Sequence, residues 1–144
     1  MDNIDYEIIE YLQSNGRMPL KKLAQKVCLT PPAVAERIKK LETLGIITGY
    51  KAVINPKKLG LNIHTIINIT ISHEKQKEFI SFAQKSKNIV KCYHVTGEFS
   101  MCVEAVFKEM AELESLIGKF QQYGNTQTMI VMSCPIDLKN IAPY

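Results

Sequence analysis

Between Asn55 and Gly60 the hydrophobic period of this chain changes, and that change dictates two folding units rather than one. Before it, apolar residues recur every three to four positions, the spacing of helices with one buried face. After it they alternate in twos, the spacing of strands. The junction, Asn55-Pro56-Lys57-Lys58-Leu59-Gly60, is a turn by composition. We divide the 144 residues into domains of residues 1–60 and 61–144, each near the lower size limit of independent stability.

The first domain reads as three helices. Ile4, Ile8, Ile9 and Leu12 share one face of a helix that runs from Ile4 to Ser14, with Asp2 or Asn3 placed to cap it, and Asn15-Gly16 ends it. Pro19 opens a second, whose inward face is Leu20, Leu23, Ala24 and Val27 while Lys21, Lys22 and Lys26 point away. After a tight Cys28-Leu29 connection, Thr30-Pro31 pairs a capping hydroxyl with the residue best suited to the first helical position. The third helix runs to about Leu44 and stops at Gly45. So short a turn between the second and third helices is the helix-turn-helix geometry, in which one helix braces another against a DNA groove. The β-branched run Ile46–Ile54 is expected to form a small wing or exit strand.

The net charge of +4 lies wholly in residues 1–60, with 10 basic and 6 acidic side chains; residues 61–144 hold 8 of each. From Arg17 to Lys58 the excess is +8, opposed only by Glu36 and Glu42, which points to a polyanion partner. If Val34, Ile38 and Leu41 form the buried stripe of the third helix, then Pro32, Ala33, Glu36, Lys39 and Lys40 face outward, with Arg37 at the edge. Lysine and arginine there can neutralise phosphates or reach guanine, Glu36 can accept from cytosine, and Ala33 allows approach to a thymine methyl. The DNA-contacting set read from this pattern is Lys21, Lys22, Thr30, Pro32, Ala33, Glu36, Arg37, Lys39 and Lys40. A solvated helix face with scattered charge is the plainer reading of the same residues.

The second domain reads as strand from Leu61 to Ser72, helix from Lys75 to Lys87 with Phe79, Phe82 and Ala83 inward, and strands over Ile89–Thr96 and Met101–Phe107 joined by Gly97–Ser100. A helix follows over Glu109–Tyr123, with Met110, Leu113, Leu116, Ile117 and Phe120 inward, then a strand over Thr126–Ser133. The order β-α-β-β-α-β is ferredoxin-like, with both helices on one face of an antiparallel sheet. The other face is left bare, and Ile67, Tyr93, Val103 and Val131 are too apolar for both faces to be solvated, so a self-association surface is expected. The fold class is therefore α+β, a helix-turn-helix domain followed by a ferredoxin-like one.

Across the first domain, Asp2 to Leu12, Gly16-Arg17, Leu23-Ala24, Val27, Leu29, Arg37, Leu41-Glu42, Gly45-Ile46-Ile47, Gly49-Tyr50, Ala52, Asn55-Pro56 and Leu59-Gly60 stand in the order found in one family. This half resembles the DNA-binding domain of the Lrp/AsnC (leucine-responsive, or feast/famine) transcriptional regulators, and the second half resembles their regulation-of-amino-acid-metabolism domain. The resemblance implies a regulator that binds double-stranded DNA, dimerises through its sheets, assembles into tetramers or octamers, bends or wraps DNA, and responds to an amino acid. In that family a Gly-x-x-Asp turn lies near the amino-acid pocket. Here the turn is Gly97-Glu98-Phe99-Ser100, in which a hydroxyl replaces the carboxylate, so effector response is expected to be absent, weak or altered. A hairpin connection with no ligand explains the glycine equally well.

Two other functions use the same residues. One is a nucleoid-type architectural binder with little sequence preference. The other is an enzyme resembling the haem-pathway decarboxylases, which share the architecture; against it, the second domain contains no arginine to grip a tetrapyrrole carboxylate. No other set of residues suggests catalysis, so no catalytic residues and no cofactor beyond an amino-acid effector are expected. His64, His73 and His94 lack metal spacing, and Cys28, Cys92, Cys102 and Cys134, in apolar segments without a Cys-x-x-Cys pair, are expected as buried reduced thiols. The acidic start Met1–Asp5 is not a secretory leader, and no run approaches the length of a membrane span; the expected location is cytoplasmic, associated with the nucleoid.

Overall fold

A computed structural model describes residues 1–142. Their contacts form two units, residues 1–53 with 136–142, and residues 54–135.

The helical unit contains α1 (Asn3–Ser14), α2 (Leu20–Lys26) and α3 (Pro31–Thr43). Asp2 caps α1 through a reciprocal box: its carboxylate accepts the Asp5 N–H at 3.0 Å, and Asp5 accepts the Asp2 N–H at 3.1 Å. Ile8, Leu23, Ala24, Val27, Val34 and Leu41 are buried together as the core, with Ile4, Leu12 and Ile38 packed at its margin. α3 starts as its sequence demands, with the Thr30 hydroxyl accepting the Ala33 N–H and prolines in its first turn. It ends before Gly45, whose φ of 70° only glycine adopts freely. The segment 136–142 returns to this unit, where the Gln13 side-chain amide exchanges two hydrogen bonds with the Ile141 main chain, at 3.0 and 2.8 Å, and Asn140 donates to Ser14.

The expected strand over Ile46–Ile54 does not form. Its β-branched composition is genuine, but a strand needs a neighbour to take up its backbone groups, and this unit offers none. Val53 and Ile54 are left exposed.

The second unit is built from β1 (Ile63–Ile71), α4 (Gln76–Lys85), β2 (Ile89–His94), β3 (Met101–Phe107), α5 (Met110–Phe120) and β4 (Gly124–Ile130). The strands are antiparallel in the order β2-β3-β1-β4, the ferredoxin-like arrangement. Ile67, Ile69 and Ile71 of β1 and Val103, Ala105 and Phe107 of β3 bury one face against Phe79 and Ala83 of α4 and Leu113, Leu116 and Phe120 of α5. Phe79 sits edge-on to Phe120 and Tyr123 at 5.0 and 5.5 Å. Each such side chain contributes about 1.5–3 kcal/mol by leaving water.

The other sheet face carries His64, Ile66 and Asn68 of β1, Cys102, Glu104 and Val106 of β3, Tyr93 of β2 and Met129 of β4, which the register places in cross-strand pairs. Ile67 and Val103, too apolar to be solvated, lie under the helices and are fully buried, Ile67 on the face that the odd positions of β1 share. Parity decides this: the odd positions of β1 are the more apolar and meet the helices, which leaves Ile66 with His64 and Asn68 on the other face.

Other expectations fail at the ends of elements. β4 spans Gly124–Ile130, two to three residues earlier than expected, because its ladder is set by β1, with Ile71 opposite Gly124 and Thr65 opposite Ile130. A Cβ at Gly124 would meet the Thr70 carbonyl, so the close approach requires glycine. β2 stops at His94, α4 at Lys85 and α5 at Phe120, and Met110, expected inward, begins α5 half exposed. The thiols are not buried either: Cys28, Cys92 and Cys134 are exposed and Cys102 is partly so, since three lie in turns or edge positions rather than central strands. No helix among the described residues is long and apolar enough to cross a membrane.

Candidate DNA-binding interface

α2 and α3 are joined by the four residues Val27–Thr30, and Cys28 takes the left-handed conformation, φ 54°, that lets the chain reverse so quickly. Val27 tucks into the core at the bend. The outer surface of α3 then follows from its buried stripe. Val34 and Leu41 are buried and Ile38 half-buried, while Pro32, Glu36, Lys39 and Lys40 are exposed and Ala33 is half-buried. Lys21 and Lys22 are exposed on α2, and Thr30 is exposed at the α3 N-terminus with its hydroxyl engaged in the cap. No hydrogen bond or ion pair within the described residues engages the side-chain ammonium of Lys21, Lys22, Lys39 or Lys40. Lys26, by contrast, does not point away: its Nζ lies 4.6 Å over the Tyr11 ring.

Arg37 has a different setting from the other cations. Its Nη1 donates to both carboxylate oxygens of Asp2, at 2.9 and 2.8 Å, and to Asp5 Oδ1 at 2.7 Å. Asp5 is buried, so its charge is held by this arginine and by the Asp2 N–H. Three groups on two elements thus form one cluster that fixes α3 against the start of α1. The Asp2 carboxyl is held below the usual carboxylate range by the Asp5 N–H and then by Arg37. Burial pushes Asp5 up, but the Arg37 hydrogen bond and the Asp2 N–H outweigh it, and its carboxyl too is lowered. Arg37 is correspondingly raised by the same two carboxylates. Sequence reading placed Arg37 with the DNA-facing residues and missed this cluster; the signal was the Asp-x-x-Asp spacing at the N-terminus, which cannot say which cation 35 residues away will join it.

At the exit of α3, the Tyr50 hydroxyl donates to Glu42 Oε1 at 3.2 Å, and its ring lies beside Gly16, with 3.5 Å to a Cβ built there. This contact also escaped the sequence reading.

In the second unit the turn Gly97–Ser100 is held by the main chain. Gly97 adopts φ 110°, Val95 N–H donates to the Ser100 carbonyl at 3.0 Å, and Ser100 N–H to the Ile69 carbonyl at 3.1 Å. The Ser100 hydroxyl accepts the Ile71 N–H at 2.7 Å and lies 3.2 Å from the Ile69 carbonyl. It is therefore spent on securing β3 to β1. Glu98 is exposed, and Phe99 is half-buried.

A short bracing helix, a second helix with a basic outer face, and an antiparallel sheet domain define a helix-turn-helix DNA-binding protein with an appended sheet domain. Comparison with known proteins narrows the class. Residues 1–42 match the AsnC-type helix-turn-helix domain and residues 64–141 the Lrp/AsnC ligand binding domain. The HTH-type transcriptional regulator LrpC of Bacillus subtilis is 34% identical over 97% of this chain and 96% of its own length. Its solved structure superposes with a TM-score of 0.89, covering 96% of this chain and 99% of that one. The Escherichia coli AsnC structure gives a TM-score of 0.87 at 26% identity, covering 99% of each chain. A transcriptional regulator from Neisseria meningitidis, solved as its L-Met complex, shares the fold at 24% identity with a TM-score of 0.91, over 98% of this chain and 96% of that one. The chain belongs to the Lrp/AsnC family of HTH-type transcriptional regulators. LrpC and the leucine-responsive regulatory protein of Haemophilus influenzae, 34% identical over 92% of this chain, are both named as regulators.

Proposed function

We propose that this protein is a sequence-preferring regulator that bends or wraps DNA, with residues 1–60 as its DNA-binding domain and residues 61–144 as its oligomerisation and effector domain. The observation that carries the reading is the outer face of α3, where Lys39 and Lys40 are exposed and unpaired beside Glu36 and Pro32, within a stretch of +8. Lys39, Lys40, Lys21 and Lys22 serve as phosphate contacts, and Glu36, Pro32 and Ala33 face the base edges. Thr30 starts the helix at the groove. Arg37 acts at the edge of this face and, through Asp2 and Asp5, sets the angle at which α3 is presented.

Two copies pair through the bare sheet face, and a dimer then places two α3 helices in successive major grooves with half-sites about one helical turn apart. Tetramers or octamers extend the bend. The protein works in the cytoplasm on the nucleoid. An amino acid is the effector, read near Gly97, Glu98 and Phe99. Ser100 serves there as a latch, so an ammonium group must find its partner in Glu98 or in another copy.

The test is competition between the protein's own upstream DNA and random DNA across a salt series. Changing Lys39 or Lys40 to Ala should lower the salt slope by about one unit per lost phosphate contact and weaken all sequences alike. An unchanged slope removes them from the interface, and equal affinity for all DNA replaces this reading by the architectural one.

A further inference from the structure

Charge in residues 61–144 is locally uneven although its sum is zero. Lys75 donates to the Gln122 carbonyl and Lys91 pairs with Glu104. Lys85, Lys87 and Lys119 have no such partner among the described residues, and all three line one open cleft of about 600 Å³, formed by the end of α4, the turn after it and α5. One carboxylate, Glu112, lines the same cleft, and its Oε2 already accepts the Lys108 N–H at 2.9 Å.

A simpler duty accounts for part of this. Lys85 and Lys119 lie in the last turns of their helices, where a cation offsets the partial negative charge of a helix end, about half an elementary charge each. Three ammonium groups exceed the sum of one carboxylate and two such ends. Lys87, beyond α4, is not explained by either helix. The floor of the cleft is of another character: Leu116 is buried, and the half-buried Phe82 ring is held edge-on to Phe120 at 6.1 Å. The hydroxyls of Ser86 and Ser115 line the cleft and are engaged in no hydrogen bond among the described residues. Cations and free hydroxyls around an apolar floor are what a ligand with an anionic group and a flat apolar body requires.

We infer that this cleft binds a small phosphorylated ligand of nucleotide type, its phosphates held by Lys85, Lys87 and Lys119 and its ring lying over Phe82 and Leu116. Phosphate suits lysine, which acts as a point charge without the fork geometry of arginine. A free amino acid is net neutral near pH 7 and gains little from excess positive charge. The site is therefore separate from the Gly97–Phe99 turn in both place and ligand class, and does not depend on the amino-acid reading.

The full chain is titrated with ATP, pyrophosphate and adenosine, following backbone amide signals at low and high salt. ATP should bind and shift the amides of Lys85–Asn88 and Lys119, with pyrophosphate and adenosine each weaker. The double change Lys85→Ala with Lys119→Ala should weaken ATP roughly tenfold or more, the worth of one charge-assisted hydrogen bond, and leave DNA affinity unchanged. Both side chains are exposed, and an unchanged melting curve confirms that the fold survives. The inference is overturned if ATP does not bind, or if its affinity falls in the Lys39→Ala, Lys40→Ala variant instead. It is also overturned if the Lys85, Lys119 variant loses DNA affinity, which would make the cleft a contact for the DNA backbone.

Discussion

The helical unit and the sheet unit are stabilised in different ways. The first has a small aliphatic core centred on Ile8, Leu23, Val34 and Leu41, and adds to it a charged cluster in which Arg37 joins Asp2 and buried Asp5. The second has a larger core with Phe79, Phe107 and Phe120 fully buried. Its polar contacts, a hydrogen bond between His64 and Glu104 and an ion pair of Lys91 with Glu104, lie on the bare sheet face instead. A small helical unit buries a smaller share of its apolar surface than a larger one and is correspondingly marginal in stability. A polar tie between α1 and α3 adds a constraint at the helix proposed to meet DNA.

The comparison is broken most directly through Phe79. Phe79→Ala removes a ring packed against Phe120 and Tyr123 and should cost about 3–5 kcal/mol. Calorimetry should show the sheet transition falling while the helical one stays. If both fall together, the two units unfold as one and the distinction between them is lost.

Asp5→Ala should cost about 1–3 kcal/mol, confined to the helical unit, because it strips a buried acceptor from Arg37 and from the cap of α1. It should also weaken operator binding while leaving the salt slope unchanged, since α3 is misplaced but its lysines remain. A changed slope would mean that the cluster acts through charge at the interface.

The pH dependence sharpens the same point. The carboxyls of Asp2 and Asp5 are lowered in the folded state, so their stabilisation is fully present above their ordinary value of 3.8 and is lost as pH falls through the lowered folded values. Acid should therefore melt the helical unit through this cluster, as followed by helical circular dichroism. Arg37→Ala should flatten that acid dependence.

The smallest expected effect is favourable. Cys28 holds a φ of 54° at the α2–α3 bend, and Cys28→Gly should relieve the side chain's conflict with that conformation, raising stability by up to about 1 kcal/mol in thermal denaturation.

Much of the fold could be read directly. Thr30-Pro31 marks the start of α3 and Gly45 its end, and the strict alternation Ile63, Thr65, Ile67, Ile69, Ile71 marks the buried face of β1, because capping and period are local properties. The failures share a cause. The run Ile46–Ile54 has strand composition without a partner, and β4 is shifted by its pairing with β1. Each depends on a neighbour distant in sequence. The candidate interface was legible as far as its lysines, which need only be exposed. Arg37 was legible as a charge but not as a partner, and Ser100 as a lost carboxylate but not as a latch on Ile71.

By itself the sequence determined the change of hydrophobic period between residues 55 and 60, the type and order of nearly every element, and the placement of the whole charge excess in residues 1–60. These follow from periodicity, capping and counting, which act over a few residues. Only the tertiary structure decided that residues 136–142 return to the helical unit, and that Arg37 is bound to Asp2 and Asp5 while Lys39 and Lys40 stay free among the described residues. The reason is physical: side chains of the same charge differ in function only through the partners that chain closure brings within hydrogen-bonding distance, and those partners lie tens of residues apart.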